Sequence, residues 1–538
     1  MAIFGFGRKR GATLDVSRGK LRGSALAEAI AAVWEPKRAT QADAVRNRGR
    51  IIGRDAARML MASGESGRLT ADWPTTPVPA DWIVARYQRA LVARSREQAA
   101  NSDTMKAFLR QVRLHVVGST GLRLHSQVVL PDGTPDAAAR EAIETWWDEW
   151  GRAENCDVTG QLSWWRMQGL AVETAARDGE FFVREIVGDD AGPMGYALQM
   201  LDPARCPVEL SRDGLEGGRF IRQGIEFTKY GKPVAYYFQV DDRNGAAAYT
   251  YGGNTFERIP AEEIIHGFVP EFVGQKRGLP WASTGLYRAK HVQAGEDAAV
   301  VNMRMGASKM GFIEFEDGHG DELEEGDDLE IDAEPGAFPV LPAGAKLNKF
   351  DPTYPSGELV PFVKLMDRKF AAGAGVSYHA LTQDLTDVNF SSIRQGELDA
   401  REGYKERQGW LRDALCDRVF RRALPLALLR GLVRLPGGGR LSAGRTGEYL
   451  RAIWQGRRWA WIDPRADVDA ATGWKNALLA SPSSLIREEG RDPDEVFKEI
   501  AADIKAMQAE GIPLEVIAAS YGQKQVPQAK PEPKSEKQ

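Results

Sequence analysis

Cysteine is scarce: the 538 residues include only Cys156, Cys206 and Cys416, far apart and odd in number. That excludes a disulfide scaffold and reads as three small buried hydrophobes in a reducing compartment. Long apolar runs are missing as well. No uninterrupted stretch reaches the roughly 18 residues of a spanning helix, so no membrane partner is expected. Phe4 and Phe6 stand beside Arg8, Lys9 and Arg10, but no apolar core of signal-peptide length follows. Charge of one sign is lacking too, with 71 Lys plus Arg against 75 Asp plus Glu and a formal net of -4. A protein that grips a phosphate backbone by ion release is normally basic overall or on one face, and the total gives no such sign.

Catalytic signatures are equally short. No glycine-rich loop ends in Gly-Lys-Ser/Thr; the stretch Gly5, Phe6, Gly7 and the run Pro436, Gly437, Gly438, Gly439 lack the lysine and read as flexible turns. The six histidines, His115, His125, His266, His291, His319 and His379, include no pair at zincin or zinc-finger spacing. His319 sits among acidic residues and reads as part of a solvated loop. No Gly-x-Ser-x-Gly elbow occurs, and Asp384 and Asp387 flank Thr386 without a nameable base. Hence no cofactor, no metal and no enzymatic activity are expected.

What is present is a chain long enough for several cores. Pro74, Pro77 and Pro79 resist regular structure. A helix is expected from Trp82 to about Gln98, and another from Thr104 to Val116, capped by Ser102 or Asp103 and ended by Gly118 to Gly121. Residues 141–176 read as two helices rich in tryptophan: Trp146, Trp147, Trp150, Trp164 and Trp165. Such a group could stack bases, but core or subunit interface is favoured. From Phe181 to Phe268 the pattern changes to short strands, Phe181 to Val187, Tyr196 to Met200, Arg219 to Phe227 and Pro233 to Val240, with Asp241 to Asn254 as a loop.

A long helix follows from about Trp281 to Lys309. Glu314 to Glu334 then holds twelve acidic residues and no Lys or Arg, a solvated loop or, where several subunits meet, a negative ring. Five prolines mark residues 335–357 as extended or turning. A helix is expected from Leu359 to Gly373, a loop from Gly375 to Ser392, and a helix from there to Leu429 with a kink at Pro425. Trp454, Trp459 and Trp461 form a late aromatic group. Ser481 to Ser484 and Asp492 to Glu495 open two last helices, and the tail from Gln523 reads as disordered. The class is α+β.

Several segments taken together resemble one family. They are Arg94-Ser-Arg96 with Asn101 and the helix end Val112 to Gly118; Pro270 to Trp281 with Gln275, Arg277 and Gly278; Ala372 to Tyr378 with Leu381 to Asp384 and Asn389 to Arg394, including Ser391 and Ser392; and Trp461 to Pro464 with Ala480 to Ser484 and Glu489 to Val496. In this order and spacing they resemble the portal proteins of lambda-like tailed phages and prophages. The resemblance implies a multidomain α+β portal fold with a mixed α/β wing, a long-helix stem, a small α/β clip and a helical crown. On this chain it implies a flexible arm at 1–45, wing at 46–280, stem helix at 281–311, clip at 312–357 and second stem helix at 358–375. A tunnel loop at 376–391, a channel helix and wing/crown connection at 392–480, crown helices at 481–520 and a disordered tail at 521–538 complete it.

The same resemblance implies a homo-oligomeric ring of about twelve copies at one capsid vertex. Double-stranded DNA would pass through it nonspecifically. The large terminase subunit, major capsid and scaffold proteins, and head-completion and tail connector proteins would be its partners. The clip would present Glu316, Asp317, Glu322, Glu324 and Glu325 to the terminase, and the tunnel loop would bring His379, Gln383, Asp384 and Asp387 nearest the duplex, with Lys364, Arg368 and Lys369 on the adjoining helix. The competing readings are a metal-dependent nuclease or maturation protease fused to a structural protein, and a single-stranded nucleic-acid-binding module using its tryptophans for stacking.

Overall fold

The computed structural model describes residues 74–240, 255–307, 311–315, 345–349, 357–386, 390–459, 464–488 and 493–520, with residues 68, 72 and 491 besides. The expected arm, the loop Asp241 to Asn254, the acidic clip residues Glu316, Asp317, Glu322, Glu324 and Glu325, His319, Asp387 and the tail lie outside the described residues. So do the side chains of Ser391 and Ser392. The chain divides into a unit Met1–Val78, almost all of it outside the described residues, and a unit Pro79–Gln538, to which everything below refers.

Helix α1 spans Ala80–Asn101 and α2 spans Asp103–Val116. The break between them is Ser102, whose extended backbone lets its hydroxyl accept from the Met105 N–H at 3.4 Å, so serine rather than Asp103 is the cap. β1 (Arg123–Ser126) leads to α3 (Ala137–Trp150) and α4 (Trp164–Asp178). Gly179 ends α4 at φ 93°, the left-handed conformation that glycine adopts without strain.

Seven strands follow: β2 (Glu180–Val187), β3 (Tyr196–Leu201), β4 (Phe220–Arg222), β5 (Ile225–Phe227), β6 (Pro233–Gln239), β7 (Phe256–Pro260) and β8 (Ile264–Phe268). They form a three-stranded sheet in the order β3-β2-β8 and a four-stranded sheet in the order β4-β5-β6-β7, antiparallel throughout. The single strand expected from Arg219 to Phe227 is instead the hairpin β4–β5. Gln223 and Gly224 both take positive φ, 54° and 79°, which turns the chain back on itself.

Helix α5 (Ser283–Ala307) is shorter than expected at its start, because the Trp281 N–H donates to Ala176 O at the end of α4 and its ring lies edge-on to Trp410. Its 25 residues span about 37 Å. β9 (Gly311–Phe315) and β10 (Ala345–Lys349) pair antiparallel, and α6 (Leu359–Ala374) returns along α5. The contacts run antiparallel, Gly285 against Phe370 and Thr284 against Gly373, and a Cβ on Gly285 would lie 2.5 Å from the Phe370 ring.

The expected loop after α6 contains a helical turn, α7 (Tyr378–Thr382), because Ser377 caps it and Gln383 closes it at φ 57°. Then α8 (Phe390–Leu411) and α9 (Asp417–Leu429) form a continuous run, joined by a π-helical turn at Arg412–Cys416. Pro425, where a kink was expected, lies inside α9, and the π turn comes about three turns before it. The wider π turn takes up an extra residue, and Leu411, Leu415, Cys416, Val419 and Phe420 all stay buried across it.

Strand β11 (Ala452–Gln455) pairs with β1, Arg123 opposite Gln455 and Leu124 opposite Trp454. Helices α10 (Pro464–Asn476), α11 (Pro482–Glu488), α12 (Pro493–Ala509) and α13 (Leu514–Ser520) end the described chain. Ser481 and Ser484 cap α11 reciprocally, each backbone N–H donating to the other's hydroxyl at 2.9 and 3.0 Å.

The main core draws on α2 through α4, β2, β3, the facing ends of α5 and α6, and α8 through β11. Trp146, Trp147, Trp150 and Trp164 are buried in it. Trp147 stacks on Trp150 at 4.6 Å and meets Phe420 and the late Trp454 edge-on. The buried group is therefore core and offers no platform for bases; Trp165 alone of the five is exposed.

Candidate functional site

Two polar constellations flank the α5–α6 pair: one at its root inside the sheets, one on the loop after α6. The first is built around Glu180. Gly179 frees the chain from α4, so the first residue of β2 points inward, and its carboxylate is fully buried. Arg277 donates to it from Nε at 2.8 and 2.9 Å and from Nη2 at 2.6 Å. Gln88 Nε2 of α1 adds a bond at 2.9 Å and the Gly278 N–H one at 3.1 Å. His266 Nε2 of β8 lies 2.9 Å away.

Burial pushes the Glu180 carboxyl up, but the Arg277 charge and His266 outweigh it and hold its pKa at about 2. Burial lowers His266, so its ring is kept neutral between Phe182 at 4.3 Å and Phe268 at 4.8 Å. Arg277 spends its remaining donors on Cys206 O and Gln223 O. Gln275 secures the approach: its Oε1 accepts from Glu271 N and Phe272 N, and its Nε2 donates to Arg277 O.

Gly278 touches Gly179 so closely that a Cβ on it would lie 1.9 Å from Gly179 O. Gln275, Arg277 and Gly278 thus form one buried clamp that ties α1, β2, β8 and the β4–β5 turn to the start of α5. A second, partly exposed clamp lies alongside: Arg96 grips Asp178 with two bonds of 2.9 Å and reaches Asp202 at 2.5 Å.

The second constellation is centred on Asp384. Lys364 of α6 pairs with its carboxylate at 2.8 Å, the Tyr378 hydroxyl donates at 3.0 Å, and Thr386 donates from Oγ1 at 2.5 Å and from N at 3.0 Å. The Lys364 bond, followed by those from Thr386, holds the Asp384 carboxyl well below the usual carboxylate range. His379 Nδ1 lies 2.8 Å from Asp384 O, and Arg368 stacks over Tyr378 at 5.2 Å. Gln383, Arg368 and Lys369 are exposed, and Leu385 is exposed beside them.

Of the residues expected on the loop, the structure brings Lys364, His379 and Asp384 together, spends their polar groups on each other and on the loop backbone, and leaves Arg368, Lys369 and Gln383 facing water. Arg394 lies apart from both groups, pairing with Asp467 of α10 at 3.1 Å.

Between α2, α5 and α6 a third feature collects Asp103, Glu296, Asp297 and Asp367 around a cleft of about 210 Å³. Burial raises Glu296 and Asp367, and for Glu296 the neighbouring carboxylates add to it. Among the described residues no group of three or more His, Cys, Asp or Glu is arranged to hold a metal ion, and no helix is long and apolar enough to cross a membrane.

Sequence reasoning missed Glu180, Asp178 and the role of His266. The signal was there in Asp178-Gly-Glu180: two acids around a glycine, between a helix and a strand whose next three residues are all buried. A carboxylate at that place needs an internal partner.

Residues 66–408 match the family model described as phage portal protein, lambda family. The chain is 33% identical over 442 residues to the probable portal protein of Halomonas phage phiHAP-1, covering 81% of this chain and 83% of that protein. It is 24% identical over 464 residues to portal protein B of Escherichia phage lambda, covering 78% and 84%. Among solved structures, the neck of a native gene transfer agent particle is similar at 12% identity and a TM-score of 0.41, covering 81% of this chain and 99% of that one.

Proposed function

This chain belongs to the lambda family of phage portal proteins and is a structural portal subunit; from that premise we propose that about twelve copies close into a ring at one capsid vertex. Double-stranded DNA enters and leaves through the axial channel. The ring serves as the docking point for the large terminase subunit during packaging, for capsid and scaffold proteins during assembly, and for head-completion and tail connector proteins afterwards. Its part is passive: the motor supplies the work, and the ring supplies the passage. The acidic stretch around Glu316, Asp317, Glu322, Glu324 and Glu325 is the clip rim, where repeated negative charge keeps DNA phosphates from sticking.

The observation that carries the ring is the surface of the α5–α6 pair. Val300, Val301 and Met303 on α5 and Val360, Phe362 and Leu365 on α6 are exposed. A helix pair with this many exposed apolar side chains is unfavourable in water, and neighbouring copies of the same pair would cover them. In the ring, Arg368, Lys369 and Gln383 belong to the DNA-facing side, and each exposed cation becomes a circle of about a dozen charges, enough to guide a duplex without holding it.

Negative-stain images of purified full-length protein test this reading directly. Rings of about a dozen subunits with an axial hole are expected. Protein that stays uniformly monomeric across assembly conditions overturns it.

A further inference from the structure

The turn after α2 and the strand β11 enclose a half-open notch of about 440 Å³ that neither the clamp nor the stem uses. Its walls carry Arg123, Arg457 and Arg458, the hydroxyls of Ser119 and Thr120, and Gln455, with no Asp or Glu among them. The arrangement is built into the fold. Arg123 and Gln455 face each other across the β1–β11 ladder, and Gly118, at φ 77°, packs so close to Arg457 that a Cβ on it would lie 3.0 Å from the Arg457 side chain.

Three features mark the notch as short of negative charge. Among the described residues no ion pair holds Arg123, Arg457 or Arg458; Asp148, which feels the Arg123 charge, does not line the notch. Burial lowers Arg457, and the like charge of Arg401 lowers it further. Among the described residues Gln455 Nε2 is buried in the wall without a hydrogen-bond partner, a donor that a water or an anion's oxygen would satisfy.

We propose that this notch is an oxyanion site for a phosphate group. Guanidinium forks match the spaced oxygens of phosphate and can share them, the two hydroxyls and the Gln455 amide add neutral donors, and the half-open wall admits a group still attached to a longer molecule. The phosphate is either soluble inorganic phosphate or a phosphodiester of a nucleic-acid backbone. The site holds for a single chain, whether or not rings form.

The test uses the full-length protein at low ionic strength, titrated in parallel with inorganic phosphate by calorimetry and with a short mixed-sequence DNA duplex by fluorescence anisotropy. At least one probe binds, and Arg458→Gln and Arg123→Gln, both at exposed positions, each weaken it about tenfold. Inorganic phosphate binding identifies a soluble ligand; duplex binding without it identifies the backbone phosphodiester. Gln455→Leu separates ligand binding from architecture: it weakens binding while leaving the unfolding midpoint unchanged or higher, because it removes an unsatisfied amide. No binding of either probe overturns the site, and so does binding that survives both arginine changes.

Discussion

Glu180 and Asp384 are both carboxylates held by one basic side chain and several hydrogen bonds, yet they do different work. Glu180 is fully buried and draws its partners from α1, β8 and residues 277–278, up to 98 positions away in sequence. Asp384 keeps a fifth of its side chain in water, and apart from Lys364 its partners, Tyr378 and Thr386, lie within six positions of it. In low dielectric an unpaired charge costs far more than its pairing returns, so the first hub holds separate elements together. In water the same chemistry returns little, so the second only shapes its own loop.

Breaking the buried hub has the largest expected effect. Arg277→Leu strands the Glu180 charge and lowers stability by about 3–5 kcal/mol, read by chemical denaturation. The pH profile sharpens the point. The Glu180 pKa is lower in the fold than its ordinary 4.5, so its contribution is complete above pH 4.5 and is lost as pH falls toward 2. Arg277→Leu removes that acid limb.

A smaller effect is expected at His115, a half-buried intermediate between the two hubs. It stacks on Tyr404 at 4.7 Å and accepts the Trp459 indole N–H at Nδ1, 2.7 Å away. Burial, then Arg457 and Arg401, lower its pKa from 6.5 to about 4. The neutral ring therefore stabilises the fold fully above pH 6.5, and that contribution fades as pH falls toward 4. His115→Phe keeps the stacking, leaves the indole without its acceptor at a cost of about 1 kcal/mol, and flattens stability between those two pH values.

Asp384→Asn should be mildest: the global unfolding midpoint stays in place while amide exchange accelerates across residues 378–386. A large loss of global stability would show that the exposed hub also ties elements together and would erase the contrast.

How much was legible follows the same division. Helices α1, α2, α3, α4 and α6 were readable because apolar spacing, a capping serine and terminal glycines act within a few residues. The aromatic group at 146–164 was readable as core, because so much apolar surface seldom stays wet. The Gln223–Gly224 turn was not, since a glutamine at positive φ carries no warning in its own identity; tertiary bonds hold it, with its side chain donating to Asp81 O and its carbonyl accepting from Arg277. The π turn escaped as well, since nothing in the identities of Arg412 to Cys416 marks a wider turn.

Gln275, Arg277 and Gly278 stood out by resemblance, and the structure gives them a physical task as a clamp. The residues on the loop after α6 stood out the same way, but which of them face one another was hidden until α6 lay beside α7.

By itself the sequence determined the α+β class, the long helix followed by an acidic stretch and a second helix, the absence of familiar nucleotide, zinc and serine-nucleophile motifs, and the family. Local propensity, charge spacing and short motifs are all contained in neighbouring residues. Only the tertiary structure decided that Trp454 packs on Trp147, that β11 pairs with β1, and that Glu180 meets Arg277. Those pairings join residues about a hundred to more than three hundred positions apart, and their energy comes from excluding water at the place of meeting, which no stretch of sequence records alone.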